Sequence, residues 1–357
     1  MGFLLSFSKV LIDQNFLKKI EKKNLRYISE IVPGIKRIRK NQNFIFLDPN
    51  QVVISNQNIL QRIEELKIPP AWESVWICPK QNGHIQAFGF DLKNRKQYLY
   101  HPIWVELTQE NKFQHLLTFC DKLPKLRSKI KKDLQKNKYV KDKILATVVW
   151  LLENTFIRVG NKEYARDNKS YGLTTLRNKH VKIGKNKVTL EFIGKSGIKH
   201  IVEITNPSMV KTIKKCVEIP GYELFKYLDE DSRPRIIDSG EVNEYLQSIT
   251  RDEISAKDFR TWGGTLLAST TFYLLGPYKG EIELKTKTKQ AVKKVSQHLR
   301  NTPKICQNYY IHPTIFKTYN QEYLIPHFNT HLKSKPKKPR EISRDENTVI
   351  DLLHKYN

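Results

Sequence analysis

The spacing of apolar residues changes character near Ile103, and this change restricts the chain to two kinds of architecture in series. Before it, runs of strand length such as Asn43–Leu47 and residues 74–78 are divided by turn signals at Pro69-Pro70, Asn82-Gly83 and Lys93-Asn94. After it, helical spacing takes over. Residues 139–157 put Ile144, Leu145, Val148, Val149, Leu152 and Phe156 on one stripe, which predicts Arg158 at a helix C-terminus. One interruption breaks the helical half: the apolar runs 187–193 and 198–204 flank Gly194-Lys195-Ser196-Gly197, a hairpin signal with Lys195 in its turn. Ser255 followed by Asp258 predicts a helix start, Val292, Val295 and Leu299 mark a further helix, and Thr302-Pro303 opens another. The expected fold class is α+β. A small β-rich N-terminal domain would occupy residues 1–103, and a larger, mainly helical domain with a short β-sheet residues 104–332. A basic linker over 333–340 and a last helix around 347–354 would complete the stretch 333–357.

Charge narrows the function. Lys and Arg number 63 against 36 Asp and Glu, so a net +27 points to nucleic acid or an anionic membrane surface, and the sign alone does not choose. Interleaved aromatics, 16 Tyr and 5 Trp, favour nucleic acid, because rings stack on bases while lysines follow phosphates. With 39% hydrophobic residues, a disordered chain is excluded. Residues 121–143 hold ten Lys/Arg against three Asp, which reads as a solvated helix face or as a basic hinge along a DNA backbone. Cys78, Cys120, Cys216 and Cys306 are scattered and form no C-x-x-C pair, so neither a disulfide framework nor a zinc knuckle is expected and a reducing cytoplasm fits. No run has the length of a membrane span, and residues 1–12 lack the basic flank and cleavage site of a signal peptide. Met1–Ser6 formally matches a myristoylation pattern that is common by chance.

Several motifs are set aside on their chemistry. Gly194-Lys195-Ser196 matches only the end of a phosphate-binding loop: position 189 is threonine where that loop needs glycine, and a strand follows, so no nucleotide is expected. His327 and His331 are four apart, but no Glu follows the first and no third ligand is evident, so they read as surface histidines. No acidic cluster suits a two-metal site, and no metal or other cofactor is expected. What remains is Tyr309-Tyr310 behind the Thr302-Pro303 helix start. A phenol with a pKa of about 10 is a poor nucleophile at neutral pH and would need cationic groups around its target. Taken singly, Arg158 could cap carbonyls, Lys195 could be an exposed turn lysine, Arg260 could pair with Asp258, Asn301 could serve a turn, and both tyrosines could be packing residues.

Together, these contexts resemble the type IB DNA topoisomerases, particularly the compact poxvirus and bacterial enzymes, over residues 67–313. Ile68-Pro69-Pro70-Ala71-Trp72, Val75-Trp76-Ile77-Cys78-Pro79, Gly83-His84-Ile85-Gln86-Ala87 and Arg95-Lys96-Gln97-Tyr98-Leu99-Tyr100-His101-Pro102 look like the family's β-rich clamp domain. Ile157-Arg158-Val159-Gly160-Asn161 with Ser170-Tyr171-Gly172-Leu173 places the first catalytic arginine on Arg158, and Phe192-Ile193-Gly194-Lys195 places the catalytic lysine on Lys195. Ala256-Lys257-Asp258-Phe259-Arg260 puts the second arginine on Arg260. Leu299-Arg300-Asn301-Thr302-Pro303 puts Asn301 where poxvirus enzymes use histidine and bacterial ones asparagine, and the nucleophile falls on Tyr310. Gln97, Tyr98, Tyr100 and Tyr164 match DNA-contacting positions, whereas Asn161 replaces a poxvirus lysine that helps select the cleavage sequence. The resemblance implies relaxation of supercoiled duplex DNA by a monomer, without ATP or metal, through a 3′-phosphotyrosyl intermediate. Two other readings stay open: a tyrosine recombinase, which usually has His-x-x-Arg where this chain has Lys257-Asp258-Phe259-Arg260, and a catalytically inactive DNA-binding protein.

Overall fold

A computed structural model describes residues 14–333 and 341–356; the Met1–Ser6 pattern and residues 334–340 of the expected linker lie outside the described residues. The chain divides between Phe113 and Gln114 into two compact units. The first contains α1 (Gln14–Lys22), β1 (Ile35–Lys40), β2 (Asn43–Leu47), α2 (Gln57–Glu65), β3 (Glu73–Ile77), β4 (Ile85–Phe90) and β5 (Lys96–Tyr100). Its strands form an antiparallel sheet in the order β2-β1-β3-β4-β5, so β5 is an edge. Period-two alternation decides the two faces. Val75, Ile77, Ala87 and Leu99 turn to a core shared with Ile63 of α2. Trp76, Phe88 and Tyr98 turn the other way, with the Trp76 and Phe88 rings stacked at 5.2 Å.

The division falls within α3 (Pro102–Leu134). The second unit continues with α4 (Lys141–Thr155), α5 (Lys162–Asn168), β6 (Val181–Ile183), β7 (Val188–Ile193), β8 (Lys199–Ile204), α6 (Pro207–Glu218), β9 (Lys226–Leu228) and β10 (Pro234–Ile236). There follow α7 (Ser239–Thr250), α8 (Ala256–Leu275), α9 (Gly280–Leu299), α10 (Pro303–Tyr309), α11 (Pro313–Asn320), α12 (Leu324–Lys333) and α13 (Arg344–Tyr356). The α+β class expected from the sequence is the one observed: a β-rich first unit and a mainly helical second one. The hairpin β7–β8 has Lys195 in its turn, with β6 added on the β7 side. Helix α8 packs against α4, α7, α9, α11, α12 and α13 and carries the buried Phe259, Trp262, Ala268 and Phe272. Its start is fixed as expected, the Ser255 N–H donating to Asp258 Oδ2 at 2.8 Å.

Two expectations are corrected here. The basic run over 121–143 is not simply a solvated face, because acidic partners remote in sequence fold against it. Lys122 pairs with Asp252 at 2.8 Å and Lys141 with Glu241 at 2.7 Å, while within the run itself Lys129 and Lys136 pair with the fully buried Asp133. Arg127 reaches Glu153 on α4 at 2.7 Å and Glu346 on α13 at 2.6 Å. His327 is not a surface histidine: α13 covers it, and its Nε2 lies 3.0 Å from the Thr348 carbonyl.

The Arg127 guanidinium serves two carboxylates with little access to water, Glu346 buried and Glu153 mostly so. Burial raises the Glu153 carboxyl, while for Glu346 burial is outweighed by Arg127 and the Ser343 N–H, which hold it low. Replacing Arg127 with methionine keeps most of the bulk and strands both acids, so it is expected to destabilise the fold by about 3 kcal/mol. Urea denaturation followed by circular dichroism checks this, and an unchanged midpoint would show that the pair is dispensable.

Candidate active site

Helix α4 ends in a left-handed cap at Phe156, φ 52°, whose N–H returns to the Leu152 carbonyl. Arg158 therefore lies past the helix end rather than at its last turn. The segment after α5 captures it: Leu173 N donates to the Arg158 carbonyl at 2.9 Å, and Thr174 N to Val159 at 2.7 Å. A Cβ at Gly172 would stand 2.6 Å from the Arg158 oxygen, so this approach requires glycine. The same segment holds the hairpin, Tyr171 N donating to the Ile193 carbonyl at 2.8 Å. Residues 171–174 thus join the Arg158 backbone to the strand that ends before Lys195.

Arg260 projects from α8 with only 4% of its surface exposed. It donates to the Phe156 carbonyl and, through Nη2 at 2.8 Å, to the Leu299 carbonyl at the end of α9. Burial, and then Arg158, lower its pKa, yet a guanidinium remains charged. Its central carbon lies 5.2 Å from the centre of the Tyr310 ring. Beyond α9, Arg300 takes a left-handed conformation that turns Asn301 inward, where its Oδ1 accepts from Arg158 Nη2 at 2.5 Å. That bond leaves the Asn301 amide nitrogen as a donor. Both Asn301 Nδ2 and Arg260 Nε are buried without an acceptor.

Thr302 caps α10, with Pro303 in its first turn, and Tyr310 follows its last residue with its N–H on the Cys306 carbonyl at 3.0 Å. The Tyr310 backbone rests on α8: its carbonyl accepts from Thr265 Oγ1 at 3.4 Å and sits so close to Gly264 that a side chain there would collide with it. Gly263 likewise makes room for the Phe156 ring. The signal for these two positions in the sequence is only a glycine pair inside a helical run. Tyr310 is half-buried against the core, whereas Tyr309 is 41% exposed.

Arg158, Arg260, Asn301 and Tyr310 are therefore gathered in one place, from positions separated by up to about 150 residues in the chain. Lys195 is not among them. It stands exposed in the turn at Gly194–Gly197, where Ser196 and Gly197 both have positive φ, and its ammonium makes no ion pair or hydrogen bond among the described residues. Arg260 does not pair with Asp258, whose carboxylate is taken by Ser255. Among the described residues no group of three or more His, Cys, Asp or Glu side chains gathers as a metal site would, and no helix is long and apolar enough to cross a membrane. All four cysteines are free and buried.

Comparison with known proteins decides the family. The model for the eukaryotic DNA topoisomerase I catalytic core matches residues 103–334, and that for the bacterial DNA topoisomerase IB N-terminal domain matches residues 43–91. The chain is 33% identical over 316 residues to DNA topoisomerase 1B of Acanthamoeba polyphaga mimivirus, covering 84% of this chain and 92% of that one. The chain belongs to the type IB DNA topoisomerases. Its enzymatic class is isomerase and its substrate is DNA. It is also 23% identical over 285 residues to DNA topoisomerase 1B of Vaccinia virus (strain Copenhagen), covering 76% of this chain and 84% of the relative. Against DNA topoisomerase 1 of Mycosarcoma maydis it is 28% identical over 229 residues, 57% of this chain but 22% of that larger protein.

The candidate DNA contacts of this topoisomerase lie in both units. In the first, Tyr98 and Tyr100 stack at 5.7 Å on the aromatic face of β5, where Lys96 pairs with Glu30. Burial and Glu30 keep both phenols protonated well above the ordinary range. Alternation places Gln97 on the opposite face, opposite Gly89, where its amide donates to Asp91 at 3.0 Å. In the second unit Tyr164 is 47% exposed on α5, and Asn161 caps that helix, accepting the Tyr164 N–H at 3.1 Å.

The second unit also holds two buried histidines, His180 just before β6 and His200 on β8. Burial, then Lys179 and Arg177, hold His180 down to about 4, and burial, then Arg300, Arg158 and Arg260, do the same to His200. His180 Nδ1 accepts the Arg177 N–H at 3.0 Å, which a protonated ring could not do. With folded values depressed below the ordinary value near 6.5, both rings favour the fold above that pH and oppose it as pH falls towards about 4. Urea midpoints measured from pH 7 to 4.5 are expected to decline less steeply in His180→Gln than in the parent protein, and identical slopes would refute this.

Proposed function

We propose that this topoisomerase relaxes supercoiled duplex DNA through attack of the Tyr310 oxygen on a phosphodiester. A phosphotyrosyl bond forms to the 3′ end, a 5′-hydroxyl leaves, the nicked strand rotates about the intact one, and the 5′-oxygen attacks back. The phosphotyrosyl bond conserves the phosphodiester energy, so religation needs no ATP. The observation that carries this reading is the pair of buried, acceptor-less donors, Arg260 Nε, on the guanidinium beside the Tyr310 ring, and Asn301 Nδ2, on the amide whose oxygen holds Arg158. A buried donor without a partner costs about 1–3 kcal/mol, and a phosphate oxygen is the acceptor that suits a guanidinium and an amide together.

In this mechanism Arg158 and Arg260 receive the non-bridging oxygens as phosphorus becomes five-coordinate, and Asn301 adds a neutral donor while orienting Arg158. Lys195, carried in by its turn when DNA is bound, protonates the leaving 5′-oxygen with help from Arg158. Because fixed cations supply the charge stabilisation, no divalent ion is required. Tyr98, Tyr100 and Tyr164 serve as duplex contacts, Gln97 reaches DNA only around the edge of β5, and the first unit acts as a clamp on a monomeric enzyme. A cytoplasmic setting suits the four free thiols.

Tyr310→Phe is expected to abolish both plasmid relaxation and covalent trapping on a nicked duplex, while Tyr309→Phe leaves both within about threefold of the parent. The reverse pattern would overturn the assignment. Lys195→Ala is expected to slow cleavage by about 10²–10⁴-fold with little change in DNA affinity. Relaxation should persist in EDTA without ATP, and strict dependence on Mg²⁺ would rule the mechanism out. Exchange confined to paired sites, in place of relaxation, would indicate a recombinase.

A further inference from the structure

His200 takes no part in the mechanism above, yet it occupies an unusual position under the turn that carries Lys195. It lies on β8 directly opposite Phe192, and the two rings stack at 4.7 Å with 15° between their planes. Only 5% of its surface is exposed. Its far edge fits against Gly194: a Cβ at that residue would stand 2.7 Å from Nε2 and 2.8 Å from Cδ2 of the ring. Gly194 has φ −98°, which any residue can adopt, so glycine is needed here for closeness to the imidazole and not for backbone freedom. The turn then closes on itself, Gly194 N donating to the Ile198 carbonyl at 2.8 Å, with Lys195 the next residue.

An alternating strand could fill this space with any apolar side chain. A histidine near Arg158, Arg260 and Arg300 is a poor choice if it charges, and burial keeps it neutral. A flat, uncharged ring can therefore sit beside a cationic cluster without adding repulsion.

We infer that His200 is a positioning residue for Lys195: its ring is the seat on which Gly194 rests, and it fixes the height and direction from which the lysine reaches the leaving oxygen. This rests on the reading of Lys195 as the general acid, and the test separates the two. The reaction is single-turnover cleavage of a nicked duplex bearing either the normal 5′-oxygen or a 5′-bridging sulfur at the scissile phosphate. A thiol leaves with a pKa of about 8.5, so the sulfur substrate does not need the acid. His200→Ala is expected to slow cleavage of the oxygen substrate by about 10–100-fold with DNA affinity unchanged within about twofold, and to cleave the sulfur substrate at close to the parent rate. Lys195→Ala should show the same rescue. Gly194→Ala, which presses on the ring from the other side, should reproduce the pattern and serves as the readout if His200→Ala does not fold. Loss of that Gly194→Ala defect in the His200→Ala background would show that the two act through one contact.

If Lys195→Ala is rescued by sulfur while His200→Ala and Gly194→Ala are not, the histidine supports something other than the lysine and the inference fails. If Lys195→Ala itself is not rescued, the general-acid reading falls first and takes the inference with it.

Discussion

Two arginines, Arg260 buried and Arg127 partly buried, organise the second unit, and the difference between them separates fold from chemistry. Arg127 is neutralised by Glu153 and Glu346, so its charge is consumed within the structure that it ties together. Arg260 is tied down instead by the neutral carbonyls of Phe156 and Leu299. Carbonyl dipoles can hold a guanidinium in a dry site, but they do not cancel its charge. The positive potential at Arg260 is left to be met by an anion. The same two bonds set the places from which the chain leaves α4 towards Arg158 and leaves α9 towards Asn301, and the ring of Tyr310 lies beside the guanidinium. One side chain thus locates the other members of the site.

Much of this could be read from the chain because the signals are local. The hairpin with Lys195 at its tip follows from alternation around a glycine-bounded turn, and the start of α10 follows from Thr302-Pro303. The strand at β2 begins and ends where its apolar run does. Motif context, rather than periodicity, singles out Arg158, Arg260, Asn301 and Tyr310, which the structure brings together.

What was not legible depends on partners far away in sequence. The basic run over 121–143 reads as solvent-facing until Asp252, Glu241, Glu153 and Glu346 fold against it, and those acids lie on other helices or in a loop between them. His327 reads as exposed until α13 covers it. Gly263 and Gly264 weaken α8 as a helix, and their value appears only once the Phe156 ring and the Tyr310 carbonyl are set against them. Gln97 shares a strand with Tyr98 and Tyr100, and alternation sends it to the other face.

The tie made by residues 171–174 bears on timing. Because Tyr171 holds the carbonyl of Ile193 while Leu173 and Thr174 hold the Arg158 segment, the strand leading to Lys195 is anchored up to its last residue. Any travel of the lysine is confined to the few residues of the turn, where Ser196 and Gly197 already occupy left-handed conformations. Motions of such short loops take nanoseconds to microseconds. On the mechanism proposed above, arrival of the lysine would be too fast to pace the cycle, and the slow events of turnover would belong to chemistry, strand rotation or the closing of protein around duplex.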